Sequence, residues 1–330
     1  MGTTGLTVDR LKPRAAPWKL GMRVIWFAVA AVCLWWVVRG IDFNRLRSQI
    51  LHVHSGWLAL AVTCDVLGYV VQGIRWRLLL VSVGDLPVLT ATKFIYAGLF
   101  ANEVLPLRPG EILRGWLAAR EMSVSPLAIA PSILAERLID GVWLTAGLLL
   151  LAHFVRLPAG LFHAVDLFSI AMMCLSAVAA VSRPAFAYLG VARRWHIFGN
   201  LRFVPGSLPV AGAWLGSAVM LILQAFSFWF MMSACRIGLS WNEALGVLLV
   251  VRIGTLVPGA PANLGTYQLA VVLGLMLFGV SKDVAAPFSV ILFAALTAPL
   301  WILGAGAIAQ TGVSLSKVRR GAAEWSHIAV

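Results

Sequence analysis

Long apolar runs separated by short polar intervals fill most of the chain. They fall near residues 22–38, 56–74, 86–105, 127–155, 160–182, 208–235, 243–257, 264–280 and 285–311. A helix that crosses a bilayer needs about 20 mostly apolar residues, and most of these runs meet that length. The pattern therefore predicts an all-α polytopic membrane protein of about 8 transmembrane helices. Two runs depart from an ordinary span. The run from residue 86 ends in "NEVLPLRPGEILR", with Pro106 and Pro109-Gly110 inside it, and the run 243–257 leads into "LVPGAPANLGTYQ", with Pro258, Gly259 and Pro261. Proline and glycine free backbone groups that hydrocarbon cannot satisfy. Such breaks survive at membrane depth only where protein or a water-filled cavity surrounds them. Both runs are thus expected to be broken or re-entrant, with short loops between full spans as the plainer alternative.

The two halves also read as a repeat. "PGE" at 109–111 precedes "VSPLAIAPSIL" at 124–134, and "LGT" at 264–266 precedes "VSKDVAAPFSVIL" at 280–292. Each half becomes a break, a helix, a Val-Ser turn and another helix, as expected of structural repeats built round one shared site. This divides the chain into a basic tail 1–21, one transmembrane domain 22–312 and a basic C-terminal tail 313–330. The halves 22–182 and 208–312 of that domain are joined by the basic loop 183–207.

Composition agrees with the pattern: 61% of residues are apolar and 12% charged, and little length remains for a soluble domain. The net charge of +13 gathers in the N-terminal tail, in the loop with Arg183, Arg193, Arg194 and Arg202, and in the tail with Lys317, Arg319 and Arg320. Cytoplasmic positive charge beside anionic lipid explains this, and no aromatic-basic platform points to nucleic acid. The N-terminus and the 183–207 loop are expected in the cytoplasm of a bacterial inner membrane protein. The basic C-terminal tail also favours the inside, whereas counting both broken runs as re-entrant gives an odd number of crossings and puts it outside, so its side stays open. Cys33, Cys64, Cys174 and Cys235 lie far apart in apolar runs, and no cofactor or metal motif is visible.

Charge inside a bilayer is expensive and marks a functional candidate. The main cluster is Arg108, Glu111 and Arg114 followed by Glu136, Arg137 and Asp140. On a helix Glu136 and Asp140 share a face, so Arg137 is expected to pair with Asp140, and Arg108 and Arg114 with Glu136. The cluster reads as an ion network clamping the broken segment to a helix. It is either purely structural or provides a surplus arginine for a phosphate-bearing headgroup. Asp65, Arg75, Arg77 and Arg252 are further candidates, of which Arg75 and Arg77 are expected to snorkel toward headgroups. Trp35, Trp36, Trp57, Trp76, Trp143 and Trp301 are read mostly as interface anchors.

The blocks "NEVLPLRPGEILRGWLAAR", "SILAERLIDGVWL" and "PGAPANLGTYQLAVVLGLMLFGVSKDVA" resemble the membrane region of bacterial lysylphosphatidylglycerol synthases and their stand-alone, flippase-like relatives. By that resemblance Arg108, Gly110, Glu111, Arg114, Glu136, Arg137 and Asp140 match a first signature. Pro258, Gly259, Gly265 and Thr266 match a second. Relatives commonly have Glu where this chain has Gln268, and an arginine where "ILFAAL" has none. The resemblance implies movement of an anionic or modified lipid, such as a phospholipid, a polyprenyl-phosphate sugar or a hopanoid-linked lipid, between leaflets. Membrane lipids would be the partners, with an enzyme of a lipid-modification pathway as a further one. A lipid-modifying membrane enzyme using Glu111 or Glu136 as base, or a non-transporting assembly factor, are the competing readings.

Overall fold

The computed structural model describes residues 17–39, 41–105, 108–154, isolated positions between 163 and 174, 208–256 and 261–312. Pro106, Pro258, Gly259, the loop 183–207 and the tail 313–330 lie outside the described residues. Among the described residues the chain is helical and forms no strand. Its helices are α1 (Pro17–Val38), α2 (Phe43–Leu51), α3 (Ser55–Leu80), α4 (Val88–Val104) and α5 (Gly110–Glu121). They continue with α6 (Pro126–Phe154), α7 (Leu208–Ala234), α8 (Trp241–Gly254), α9 (Thr266–Leu277) and α10 (Lys282–Thr311), with a 3-10 turn at Pro261–Asn263. Three of them, α3, α7 and α10, are long and apolar enough to cross a membrane.

Helices α3 and α7 pack antiparallel. The His54 amide at the start of α3 donates to the Ala234 carbonyl at the end of α7 at 3.1 Å, while Leu78 and Arg75 near the end of α3 lie against Gly212 and Gly216 early in α7. The pair defines two ends of the bundle. The turn after α3 lies at the first end, where Gly84 abuts Met122 at the close of α5. Helices α4 and α5 therefore go in and come back on the same side as a hairpin. Their closest approach is Gly98 against Gly110, where a Cβ on Gly110 would fall 1.9 Å from the Gly98 carbonyl oxygen. Only glycine permits that contact. Asn102 then accepts the Gly110 amide at 2.7 Å, satisfying one of the donors exposed by the break.

Helices α8 and α9 form a second hairpin from the opposite end. Gly246 of α8 abuts Phe278, and Gly274 of α9 abuts Val247. Ser240 and Glu243 build a reciprocal capping box at its entry. At its tip Gly265, at φ 87°, lies against the Ala30 carbonyl of α1, and the Gln268 side chain accepts the Gly265 amide at 2.7 Å. Gln268 is thus a cap within the fold.

The expected repeat is visible in backbone detail at a constant offset of 156 residues, the difference between Val280 and Val124. Val124 donates to Ala119 (2.9 Å) and Val280 to Leu275 (3.1 Å); Ser123 donates to Arg120 (3.3 Å) and Gly279 to Met276 (3.1 Å). Ser123 and Gly279 both have positive φ, and both following helices contain a proline at equivalent places, Pro131 and Pro287. Gly98 and Gly254 are likewise equivalent, each facing the return arm of its own hairpin. With α3 and α7 antiparallel, the two units enter from opposite ends, the arrangement of an inverted repeat.

One expectation changes. Residues 264–280 do not cross the bundle; they are the return arm of the second hairpin. Their partner α8 ends at Gly254 and α9 spans only Thr266–Leu277, each too short to cross alone. In consequence α7 starts and α10 ends at the first end of the bundle. Ala307 of α10 packs there with Leu80 and Leu86. Helix α1 finishes at the opposite end, where Trp36 meets Lys282 at the start of α10. The described ends leading to all three basic stretches therefore share one face.

Candidate functional site

Six charged residues of α3, α5 and α6 form one network. Arg75 of α3 is fully buried at its centre. Its Nη2 lies 2.5 Å from Glu136 Oε1, its Nη1 pairs with Asp140 and donates to Ser217 Oγ of α7 at 2.5 Å. Glu136, also fully buried, further accepts from Gln72 Nε2 at 2.7 Å and pairs with Arg114 at 2.9 Å. Arg114 reaches Glu111, and Glu111 reaches Arg137. Three arginines thus face three carboxylates, and every charge has an opposite neighbour. In a low-dielectric interior this balance is what makes burial tolerable. Trp76 closes the floor: its ring lies 5.0 Å from the Arg114 guanidinium and its indole donates to Ser132 Oγ at 3.1 Å.

Four expectations are corrected here. Arg75 does not snorkel, because Leu78, Leu79 and Leu80 continue α3 beyond it and Gly216 of α7 admits its stem into the core. Trp76 is wholly buried beside it and anchors no interface. Arg137 pairs with Glu111 instead of Asp140, since α5 presents a carboxylate to it and Arg75 takes Asp140. Arg108 does not reach Glu136. It adopts φ 50° at the tip of the first hairpin, and its Nη1 donates to the Thr255 carbonyl at 3.1 Å, at the tip of the second. Arg77, by contrast, is half-exposed and meets Asp85 at 3.2 Å.

The hairpin tips carry a second group of polar residues. Arg252, at the end of α8, donates to Gln224 of α7. Asp65 of α3 is 6% exposed, and no described residue hydrogen-bonds it. Tyr69, one turn on, packs edge-to-face with Tyr96 of α4 at 5.5 Å, and Tyr267 of α9 packs on Phe293 at 5.5 Å. Among the described residues neither Arg108 nor Arg252 has a carboxylate within ion-pair distance; each has a neutral acceptor and stays half-buried. The sequence singles out both residues, and Arg75 too, but places Arg75 at the headgroups and not in the network. The missed signal was its place one helical stripe along from Asp65 through Tyr69 and Gln72. No group of three metal-ligating side chains occurs among the described residues.

Paired hairpins meeting tip to tip, with a balanced ion network on one flank, define a helical multi-pass membrane protein organised round a polar centre. No curated protein matches the chain at a significant level. A family model does: the lysylphosphatidylglycerol synthase TM region matches residues 23–304, and the chain belongs to that family. Its membrane character and a lipid-related role follow at that level.

Proposed function

We propose that this protein moves an anionic, phosphate-bearing lipid between the leaflets of a bacterial inner membrane, with its N-terminus in the cytoplasm. The observation that carries the reading is the contrast between the two groups of arginines. Arg75, Arg114 and Arg137 are already matched by carboxylates, so the network acts as the clamp that fixes α5 against α3 and α6. Arg108 and Arg252, at the meeting point of the hairpins, hold only neutral acceptors among the described residues. A phosphate is the partner that would complete them, because guanidinium groups bind it through paired, charge-assisted hydrogen bonds. Acyl chains would remain in the bilayer while the headgroup passes the tips. The described helix ends that lead to the basic stretches share one face, which agrees with a cytoplasmic side. An enzyme of a lipid-modification pathway would supply or consume the cargo.

A lipid-modifying enzyme would need an accessible base. Glu136 is sealed, with Oε1 held by Arg75 and Gln72 and Oε2 in an ion pair with Arg114, which favours transport. The test is reconstitution in liposomes with labelled phosphatidylglycerol, scoring leaflet exchange and chemical change together. Exchange without a new product is expected, lost in Arg108→Ala and Arg252→Ala. A new product without exchange refutes transport. Arg108→Lys keeps the charge and loses the planar fork; normal exchange by that variant would remove bidentate phosphate binding from Arg108.

A further inference from the structure

Helix α2 lies between the close of α1 and the start of α3, at the end of the bundle opposite the helix ends that lead to the basic stretches. Four residues join it to α1 and three join it to α3 (39–42 and 52–54), less than about 20 Å of chain even when fully extended. Both joints are also turned in. The Ile41 amide donates to the Val38 carbonyl at 2.9 Å, and the His54 amide to the Ala234 carbonyl of α7 at 3.1 Å. Helix α2 is therefore held at the level where the membrane helices end. Asp42 starts it by accepting the Asn44 amide at 2.9 Å. Along it Phe43, Arg47, Ile50 and Leu51 recur at helical spacing and share one face. The three apolar members are 71%, 55% and 69% exposed, and Arg47 is exposed among them. Leu46 and Gln49, on the neighbouring flank, are half-buried, and α2 packs on α10.

We propose that α2 lies in the headgroup layer of the bilayer, with Phe43, Ile50 and Leu51 at the acyl boundary and the Arg47 guanidinium on the phosphate of an anionic phospholipid. A short helix tethered this closely to two membrane helices has lipid beside its exposed apolar stripe. Arg47 decides which lipid. Nearby charges are already engaged: Asp42 caps α2 and Glu243 caps α8, Arg39 lies 3.8 Å from the centre of the Trp35 ring, and Lys282 donates to the Trp36 carbonyl at 2.8 Å. Arg47 has no ion pair or hydrogen bond among the described residues, and α2 carries two arginines and no acid. An arginine stem tolerates apolar neighbours while its head reaches a phosphate, which it binds through paired hydrogen bonds. On the orientation proposed above this lipid belongs to the outer leaflet, where positive charge is ordinarily disfavoured. An arginine inside an apolar stripe there reflects attraction to lipid instead of topology. The contact is separate from the hairpin tips, and it concentrates anionic lipid at the end from which the second hairpin enters.

The experiment uses the full chain without its four native cysteines, in nanodiscs of equal parts phosphatidylglycerol and phosphatidylcholine. Ile50→Cys and Leu51→Cys, and Asn44→Cys and Ser48→Cys on the polar face, each carry a bimane dye. Brominated lipid should quench the dyes on Ile50→Cys and Leu51→Cys, and aqueous iodide those on Asn44→Cys and Ser48→Cys. With one lipid brominated at a time, the Ile50→Cys dye should report phosphatidylglycerol enriched about fivefold over phosphatidylcholine at low salt. High salt should shrink that preference. Adding Arg47→Gln should bring the two lipids level without changing the depth of the dye. Iodide reaching all four dyes alike overturns the placement in the bilayer. Ile50→Cys and Leu51→Cys dyes shielded from iodide and from brominated lipid together put a protein on the stripe and also overturn it. Equal quenching by the two lipids, or a preference unchanged by Arg47→Gln, overturns the phosphate assignment. Each of these results leaves leaflet exchange at the hairpin tips to its own liposome assay. Absent exchange with α2 immersed and selective sinks the transport reading alone.

Discussion

Replacing Arg75 with Met tests whether the ion network is a balanced clamp. Methionine fills much of the stem volume beside Gly216 but removes the charge from a side chain with no exposed surface. Glu136 would keep Arg114 and Gln72, while Asp140 would be left with Ser217 alone. Breaking one side of a buried pair typically costs ~3 to 5 kcal/mol, because the remaining charge is stranded. Asp140 retains 14% side-chain exposure, which places the loss toward the lower end of that range. Asp140→Leu alone leaves Arg75 with Glu136 and Ser217, a smaller loss. The double variant Arg75→Met/Asp140→Leu removes one charge of each sign and leaves Arg114 and Arg137 facing Glu111 and Glu136. It should therefore be more stable than the sum of the singles by roughly 2 to 3 kcal/mol, the upper range for residues in direct contact. Equilibrium unfolding in mixed micelles, followed by tryptophan fluorescence, reads this directly, since Trp76 lies beside the altered site. Additivity of the singles to within ~0.5 kcal/mol would refute the clamp.

Three further outcomes can be checked. Gly110→Ala should abolish recovery of folded protein, since its Cβ would sit 1.9 Å from the Gly98 carbonyl oxygen; Gly306→Ala, with nothing within 4 Å, should be recovered like the wild type in size-exclusion chromatography. Trp76→Phe loses the bond to Ser132 and should destabilise by ~1 kcal/mol in the same unfolding assay, without changing lipid retention. In a background lacking the four native cysteines, cysteines at Leu208 and Thr311 should react with an impermeant reagent from one side of the membrane, and one at Phe43 from the other; equal labelling of all three from one side would overturn the placement of the helix ends.

Much of this arrangement is legible in the sequence because hydrocarbon punishes broken helices and charge. The prolines and glycines around Pro109-Gly110 announce a tip, and the offset between the two Val-Ser turns announces a repeat, without any knowledge of contacts. What fails is pairing. Arg137 and Asp140 are neighbours on one helix face, yet each is taken by a residue from another helix, and local spacing carries no information about that. Arg75 was obscured because it follows the apolar run closely enough to look like a headgroup anchor, and only the packing of α7 shows that α3 continues past it. The sequence separates the return arm α9 from its hairpin for a related reason: twelve residues of apolar helix say how greasy it is and nothing about which way it turns.

The repeat also explains where the charge lies. At the fixed offset, Glu136, Arg137 and Asp140 of α6 correspond to Leu292, Phe293 and Leu296 of α10, and Arg114 of α5 corresponds to Ala270 of α9. Leu292 and Leu296 are buried in the apolar core with Val271 and Leu275 of α9. The same helical frame is therefore fastened by ions in one half and by apolar packing in the other. Apolar contacts are non-directional and give way in small steps, whereas an ion network at depth separates only at the cost of stranded charge. If one hairpin moves during transport, the second is the one whose fastening permits it. The Arg108–Thr255 hydrogen bond, a contact between the tips, is then one that such a movement must break.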